Sequence, residues 1–179
     1  MDNYFVEGAI VKNRIKITLI SKRKIVKIEK EKDTENNHIK ILFKLKKDSD
    51  GYPPVDWESI WATQINYNNC IINNLPFYIY DLSFGDTISF NKLNDEFYFD
   101  KLINKSSYSL IRVYCKNKDV MEKLKLELEL QKCKWEYSNT FSLASIAIPK
   151  DVFLKDVEIV ISKYKNYDFI EYEIACNRE

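Results

Sequence analysis

The chain holds one histidine, His38, and three glycines, Gly8, Gly51 and Gly85. A two-histidine metal site has no second member, and a Ser-His or Cys-His dyad would have to use His38. His38 lies between Asn37 and Ile39 at the edge of a polar stretch, where a solvated surface imidazole is the plain expectation. The glycines stand far apart, so a glycine-rich phosphate loop is excluded. Cys70, Cys115, Cys133 and Cys176 show no CxxC spacing. Strand-like sequence surrounds them, and four reduced, partly buried thiols are expected, with two disulfides in an exported protein as the alternative. No spacing of carboxylates identifies a general acid and base. The sequence therefore assigns no catalytic residue, no metal and no cofactor, and the expectation is a protein that binds rather than an enzyme.

Arg112 is the polar residue whose setting demands an explanation. It is flanked by Ile111 and Val113 on an apolar, strand-like run, and an unpaired buried charge is costly. Asp86 is the expected partner. The pair reads either as a structural ion pair or as an anion or ligand site formed with Trp61, Ser106 and Ser109, and both readings stand. Asn74-Leu75-Pro76-Phe77 reads first as a turn, because Asn and Pro act through backbone geometry. Its second reading is a recognition loop with Phe77 and Tyr78 as aromatic anchors. Near the end, Asp168, Glu171, Tyr172, Glu173 and Glu179 form an acidic, aromatic surface suited to a basic partner.

Composition narrows the partner classes. Lys+Arg total 28 and Asp+Glu 27, a net charge of +1, which gives no global drive toward nucleic acid. The arginines are Arg14, Arg23, Arg112 and Arg178. Lysine, a point charge without a planar fork, carries the remaining positive charge. The lysine-rich stretches 22–32 and 44–47 read as solvated edges, the first being interrupted by Glu29 and Glu31. No apolar run approaches the ~20 residues of a membrane helix. The opening Met1-Asp2-Asn3-Tyr4 is polar and acidic rather than leader-like. A cytoplasmic protein with neither nucleic-acid nor membrane partners is expected.

The elements that must position these residues follow from periodicity. Alternating strands are expected within 8–28 and from Ile25 to Leu45, with a turn at Lys12-Asn13 and a hairpin loop over 29–38. Asp50-Gly51 and Pro53-Pro54 mark a turn and an extended connector. Further strands are expected at 59–65, 70–72, 78–80, 87–91, 97–103 and 110–115. Asp119 to Glu122 has capping-box spacing, and Met121, Leu124 and Leu128 share a helical face. Strands follow at 134–137 and 143–148. Phe153, Val157, Val160, Ile161 and Tyr164 outline a second amphipathic helix, and 169–176 is a last strand. The fold expectation is α+β: a small β-barrel or curled antiparallel sheet over 1–105, then a ferredoxin-like βαββαβ half over 106–179, packed as one unit.

The residues Trp61-Ala62, Asn74-Leu75-Pro76-Phe77-Tyr78, Gly85-Asp86 and the stretch 106–113 with Ser109 and Arg112 resemble the uncharacterised bacterial domain-of-unknown-function family 4265. The two-helix tail fits the same layout. The chain departs from the family's pattern at Ser107, where Gly is usual, and at Leu110, where Thr is often found. The resemblance implies a fold and no activity. Without catalytic chemistry and with many aromatics and charges, the chain is expected to be an immunity protein. It would bind a cognate bacterial toxin, a basic and nuclease-like protein, and occlude its active site. The alternative is a small-ligand-sensing or regulatory domain with a pocket around Arg112.

Overall fold

Alternation of apolar and polar residues builds the first sheet. In a computed structural model of the chain, which describes residues 37–165 and 169–178, five strands follow one another: β1 (His38–Lys44), β2 (Trp57–Gln64), β3 (Asn69–Ile72), β4 (Thr87–Leu93) and β5 (Glu96–Asn104). Each pairs antiparallel with the next. A short parallel pairing, Ile41 with Phe97 and Leu42 with Tyr98, joins β1 to β5 and closes the sheet into a barrel. Closure removes the open edges that a curled sheet would expose. The inward set Ile41, Phe43, Ile60, Ala62, Cys70, Ile72, Leu82, Ile88 and Phe90 fills the interior. Asn94 and Asp95 form the β4–β5 hairpin with positive φ at both positions, as a two-residue turn between twisted strands requires.

The second sheet has β6 (Ser109–Tyr114), β7 (Lys134–Ser138), β8 (Leu143–Ile148) and β9 (Glu171–Cys176) in the order β7-β8-β6-β9. All its pairings are antiparallel. α1 (Lys118–Leu130) and α2 (Leu154–Tyr164) connect β6 to β7 and β8 to β9. Val120, Met121, Leu124 and Leu128 of α1 and Leu154, Val157, Val160 and Ile161 of α2 pack on Ile111, Val113, Ile146 and Ile148. The helical reading of the leucine run therefore holds, and Leu126 and Leu130 fall on the solvent side. The fold is α+β, and both sheets belong to one compact unit, His38–Glu179.

Two expectations are corrected. The α1 N-cap is Asn117, not Asp119: its Oδ1 accepts from the backbone N–H of Asp119 at 3.1 Å and Val120 at 3.2 Å. Asn caps as well as Asp, and Asp119 then sits where a carboxylate favours the helix dipole. Residues 78–80 form no strand; side chains rather than a ladder take their backbone groups. The strands expected within 8–28, the hairpin loop before Asn37, the 22–32 lysine run, Asp168 and Glu179 lie outside the described residues. No helix among the described residues is long and apolar enough to cross a membrane.

All four cysteines are buried. Burial pushes three of the thiols up, Cys70 to about 12 and Cys133 and Cys176 to about 11.

Candidate functional site

β6 is buried on both faces. The helices cover one face; residues 73–86, between β3 and β4, cover the other. Strand neighbours in register share a face, so a polar row crosses the second sheet there. Glu136 lies opposite Ser145, Ser145 opposite Arg112, and Arg112 opposite Glu173. The row grips the 73–86 loop. Glu136 accepts from the Leu75 N–H at 3.1 Å and from the Asn74 side chain at 3.2 Å. Ser145 Oγ donates to the Pro76 carbonyl at 2.7 Å. Arg112 donates through Nε to the same carbonyl, through Nη2 to the Ile79 carbonyl, and through Nη1 to Glu173 Oε1 at 2.8 Å. Its guanidinium also lies 4.7 Å from the centre of the Tyr80 ring.

The barrel grips the loop from the other side. Glu58 occupies an inward position of β2, in phase with Ile60 and Ala62. It accepts from the N–H of Phe77 at 2.6 Å and of Tyr78 at 2.9 Å. Burial raises the Glu58 carboxyl above its ordinary range, against the lowering effect of those N–H groups and of Arg112. Burial likewise raises Glu136, against Asn74 and the Leu75 N–H. Asn74 also reaches the barrel, accepting from the Trp61 N–H at 3.0 Å. Leu75 is buried with Leu110, Ala147, Ala175 and Cys176.

Asp86 is not the partner of Arg112. Its oxygens accept from Ser83 N–H at 2.9 Å, Ser106 N–H at 2.6 Å and Arg178 Nη2 at 2.8 Å. Arg178 also donates its backbone N–H to Ser109 Oγ at 3.0 Å. Asp86, Ser106 and Ser109 thus come together around Arg178, while the register of β6 and β9 gives Arg112 to Glu173. Trp61 joins neither group. It stands half-exposed on the barrel wall, with the Lys40 ammonium 4.7 Å from its ring. Gly85 has φ +81°, and a Cβ there would lie 3.3 Å from Ser106 Cβ, so backbone conformation and close approach both favour glycine. The Arg112 side chain is buried and bonded to Pro76, Ile79 and Glu173, and it borders a groove.

Beside the clamp lies a groove of about 980 Å³. The Asp48–Tyr52 turn delivers one wall: Asp48 Oδ1 accepts from the N–H of Asp50 and of Tyr52, both at 2.9 Å. The Tyr52 ring meets Tyr78 edge to face at 5.8 Å, and Tyr78 meets Phe141 in the same way at 5.8 Å. Arg112, Tyr114, Glu171, Tyr172 and Glu173 of the second sheet also line it, together with Asp50 and Lys165. Burial, then the charge of Glu173, raises the Tyr52 phenol. Burial pushes Tyr78 up to about 12. Of the residues expected to meet a partner, Tyr78, Glu171, Tyr172 and Glu173 converge on this groove, while Phe77 is half-buried and does not line it. Tyr52 and Phe141 had no signal in the sequence, since turn aromatics look alike until the chain folds. Among the described residues no group of three His, Cys, Asp or Glu side chains could hold a metal ion.

No curated protein matches the chain. A solved structure of a hypothetical protein from Neisseria gonorrhoeae is similar over 77% of this chain and 94% of that one, with 18% identity and a TM-score of 0.61. That likeness is one of fold. The segments carrying the family resemblance meet in the clamp: Trp61 and the Asn74–Tyr78 stretch at the loop, Gly85-Asp86 and Ser106 at its end, Arg112 beneath it. The family model described as "Domain of unknown function (DUF4265)" matches residues 58–172, and the chain belongs to that family.

Proposed function

We propose that the chain is a non-catalytic binding protein, an immunity protein that docks a cognate bacterial toxin on this groove and occludes the toxin's active site. The observation that carries the reading is the convergence of Tyr52, Tyr78, Phe141, Glu171 and Glu173 on one hollow. Aromatic anchors with a carboxylate rim suit a basic surface such as that of a nuclease, with the charges setting the rate of encounter. We read the β6-α1-β7-β8-α2-β9 half as ferredoxin-like from its strand order, and place the protein in the cytoplasm. The alternative is a small-ligand-sensing or regulatory domain that uses the same groove, which Arg112 also lines while its guanidinium bonds to Pro76, Ile79 and Glu173.

The test is protection. A toxin domain encoded beside this chain's gene is expressed with and without it, and growth is measured. Rescue is expected, together with a complex of the two purified proteins whose association slows in Glu171→Lys, an exposed position outside the clamp. Absence of any neighbouring toxin domain, or growth arrest unrelieved by the chain, sinks the reading.

A further inference from the structure

Among the described residues, two buried side-chain atoms meet no hydrogen-bond partner in the chain, Ser83 Oγ and Arg178 Nε. Ser83 is fully buried, and the Arg178 side chain is only 7% exposed. Buried polar groups are nearly always satisfied, by protein or by ordered water, because an orphan carries the whole cost of its desolvation.

Both atoms flank one oxygen. Asp86 Oδ2 accepts from the Ser83 N–H at 2.9 Å and from Arg178 Nη2 at 2.8 Å. Ser83 Oγ belongs to the residue that makes the first bond, and Nε shares the rigid guanidinium plane that makes the second. The orphans therefore open beside the same carboxylate oxygen, yet they do not bond to each other. The surroundings hold Arg178 in place. Nη2 also donates to the Asp81 carbonyl at 3.0 Å, and the backbone N–H donates to Ser109 Oγ at 3.0 Å. Asp81 N–H in turn donates to the Ala175 carbonyl of β9 at 3.0 Å. Nε cannot turn toward another acceptor without loosening these contacts. None of these residues lines the groove.

The chemistry of the two atoms selects the occupant. Nε–H only donates, whereas the Ser83 hydroxyl both donates and accepts. A molecule that serves both needs an acceptor for Nε–H and a complement for the hydroxyl. An anion is disfavoured, since Asp86, with no exposed surface, already matches the Arg178 charge. A cation meets the guanidinium. A neutral molecule of one oxygen and two protons meets every demand, and buried waters commonly join two to four such groups.

We propose that Arg178, Asp86 and Ser83 hold one buried water molecule. It accepts from Arg178 Nε, bonds to Ser83 Oγ and fastens the segment after β9 to the 81–86 turn. The site gathers Asp86, Ser106 and Ser109, and it stands apart from the groove and from the immunity reading.

A crystal structure of the whole chain, at a resolution that shows ordered water, is the direct test. Density for one water within hydrogen-bond distance of both Ser83 Oγ and Arg178 Nε is expected. In solution, nuclear magnetic resonance should show the Arg178 Nε–H exchanging slowly, with a cross-peak to water of the sign that a long-residing molecule gives. Ser83→Ala separates the occupied site from a dry one. If a water bonds to the hydroxyl, the variant leaves that water short of a partner, so the urea midpoint falls and Nε–H exchange quickens severalfold. If the hydroxyl is bare, the variant removes a buried cost, and the midpoint holds or rises. A held or raised midpoint, no density beside Asp86 Oδ2, or a protein group bonded to Nε in place of water overturns the proposal.

Discussion

Arg112 shows how one residue can be read correctly in kind and wrongly in company. Its burial and its need for a partner were legible from Ile111 and Val113 on either side. The partner was not, because strand register decides it, and register joins Arg112 to Glu173 across 61 positions. Asp86 looked equally suitable in sequence and is instead held by two N–H groups and Arg178. Arg112→Ala should cost about 2–4 kcal/mol in urea unfolding, since two carbonyls lose a donor and Glu173 loses its ion partner. Arg112→Lys should recover part of this, because an ammonium cannot reach three acceptors in one plane. A loss under 1 kcal/mol for the alanine variant, measured the same way, would contradict the clamp.

At the scale of elements, the 73–86 loop replaces strand pairing with side-chain acceptors. Pro76 cannot join a ladder, and Glu58 and Glu136 take the N–H groups of Leu75, Phe77 and Tyr78. Glu58 was legible in principle: it stands in phase with Ile60 and Ala62, an acid on an inward face. Glu136 carried no such mark, since it alternates with Trp135 and Tyr137 as a solvent-facing residue would. Both carboxyls have folded pKa values raised by burial. A raised acid binds its proton more tightly folded than unfolded, so the contribution is fully present below the unfolded value near 4.5 and is lost as pH rises through the folded value. The stability of the parent relative to Glu58→Gln should therefore fall across that window and flatten above it. Denaturation series at fixed ionic strength check this, and a parent advantage that grows with pH would reverse the assignment.

In the molecule as a whole, the clamp joins a barrel to an α+β sheet through polar contacts laid over a small apolar patch of Leu75, Leu110 and Ala147. The two-part architecture was legible because strand and helix periods differ. Barrel closure by the β1–β5 pairing was not, since two parallel residue pairs leave no trace in the pattern. In a Trp135→Phe background, which removes the one tryptophan packed in the second half, Trp57 and Trp61 report on the barrel, and α1 and α2 belong to the second sheet. Tryptophan fluorescence and helix circular dichroism should therefore follow one unfolding transition in that background. In the Arg112→Ala/Glu136→Ala double variant the two curves should separate, and coincident curves there would show the halves coupled by something other than the clamp. The buried cysteines have a chemical consequence of their own. A thiol titrating near 11 is ionised in roughly one molecule in ten thousand at neutral pH, and only the ionised sulfur attacks an oxidant. With Cys70 inside the barrel and Cys133 and Cys176 in the other half, these three thiols are shielded from oxidation while folded, and an oxidant gains a foothold at them only where one half opens.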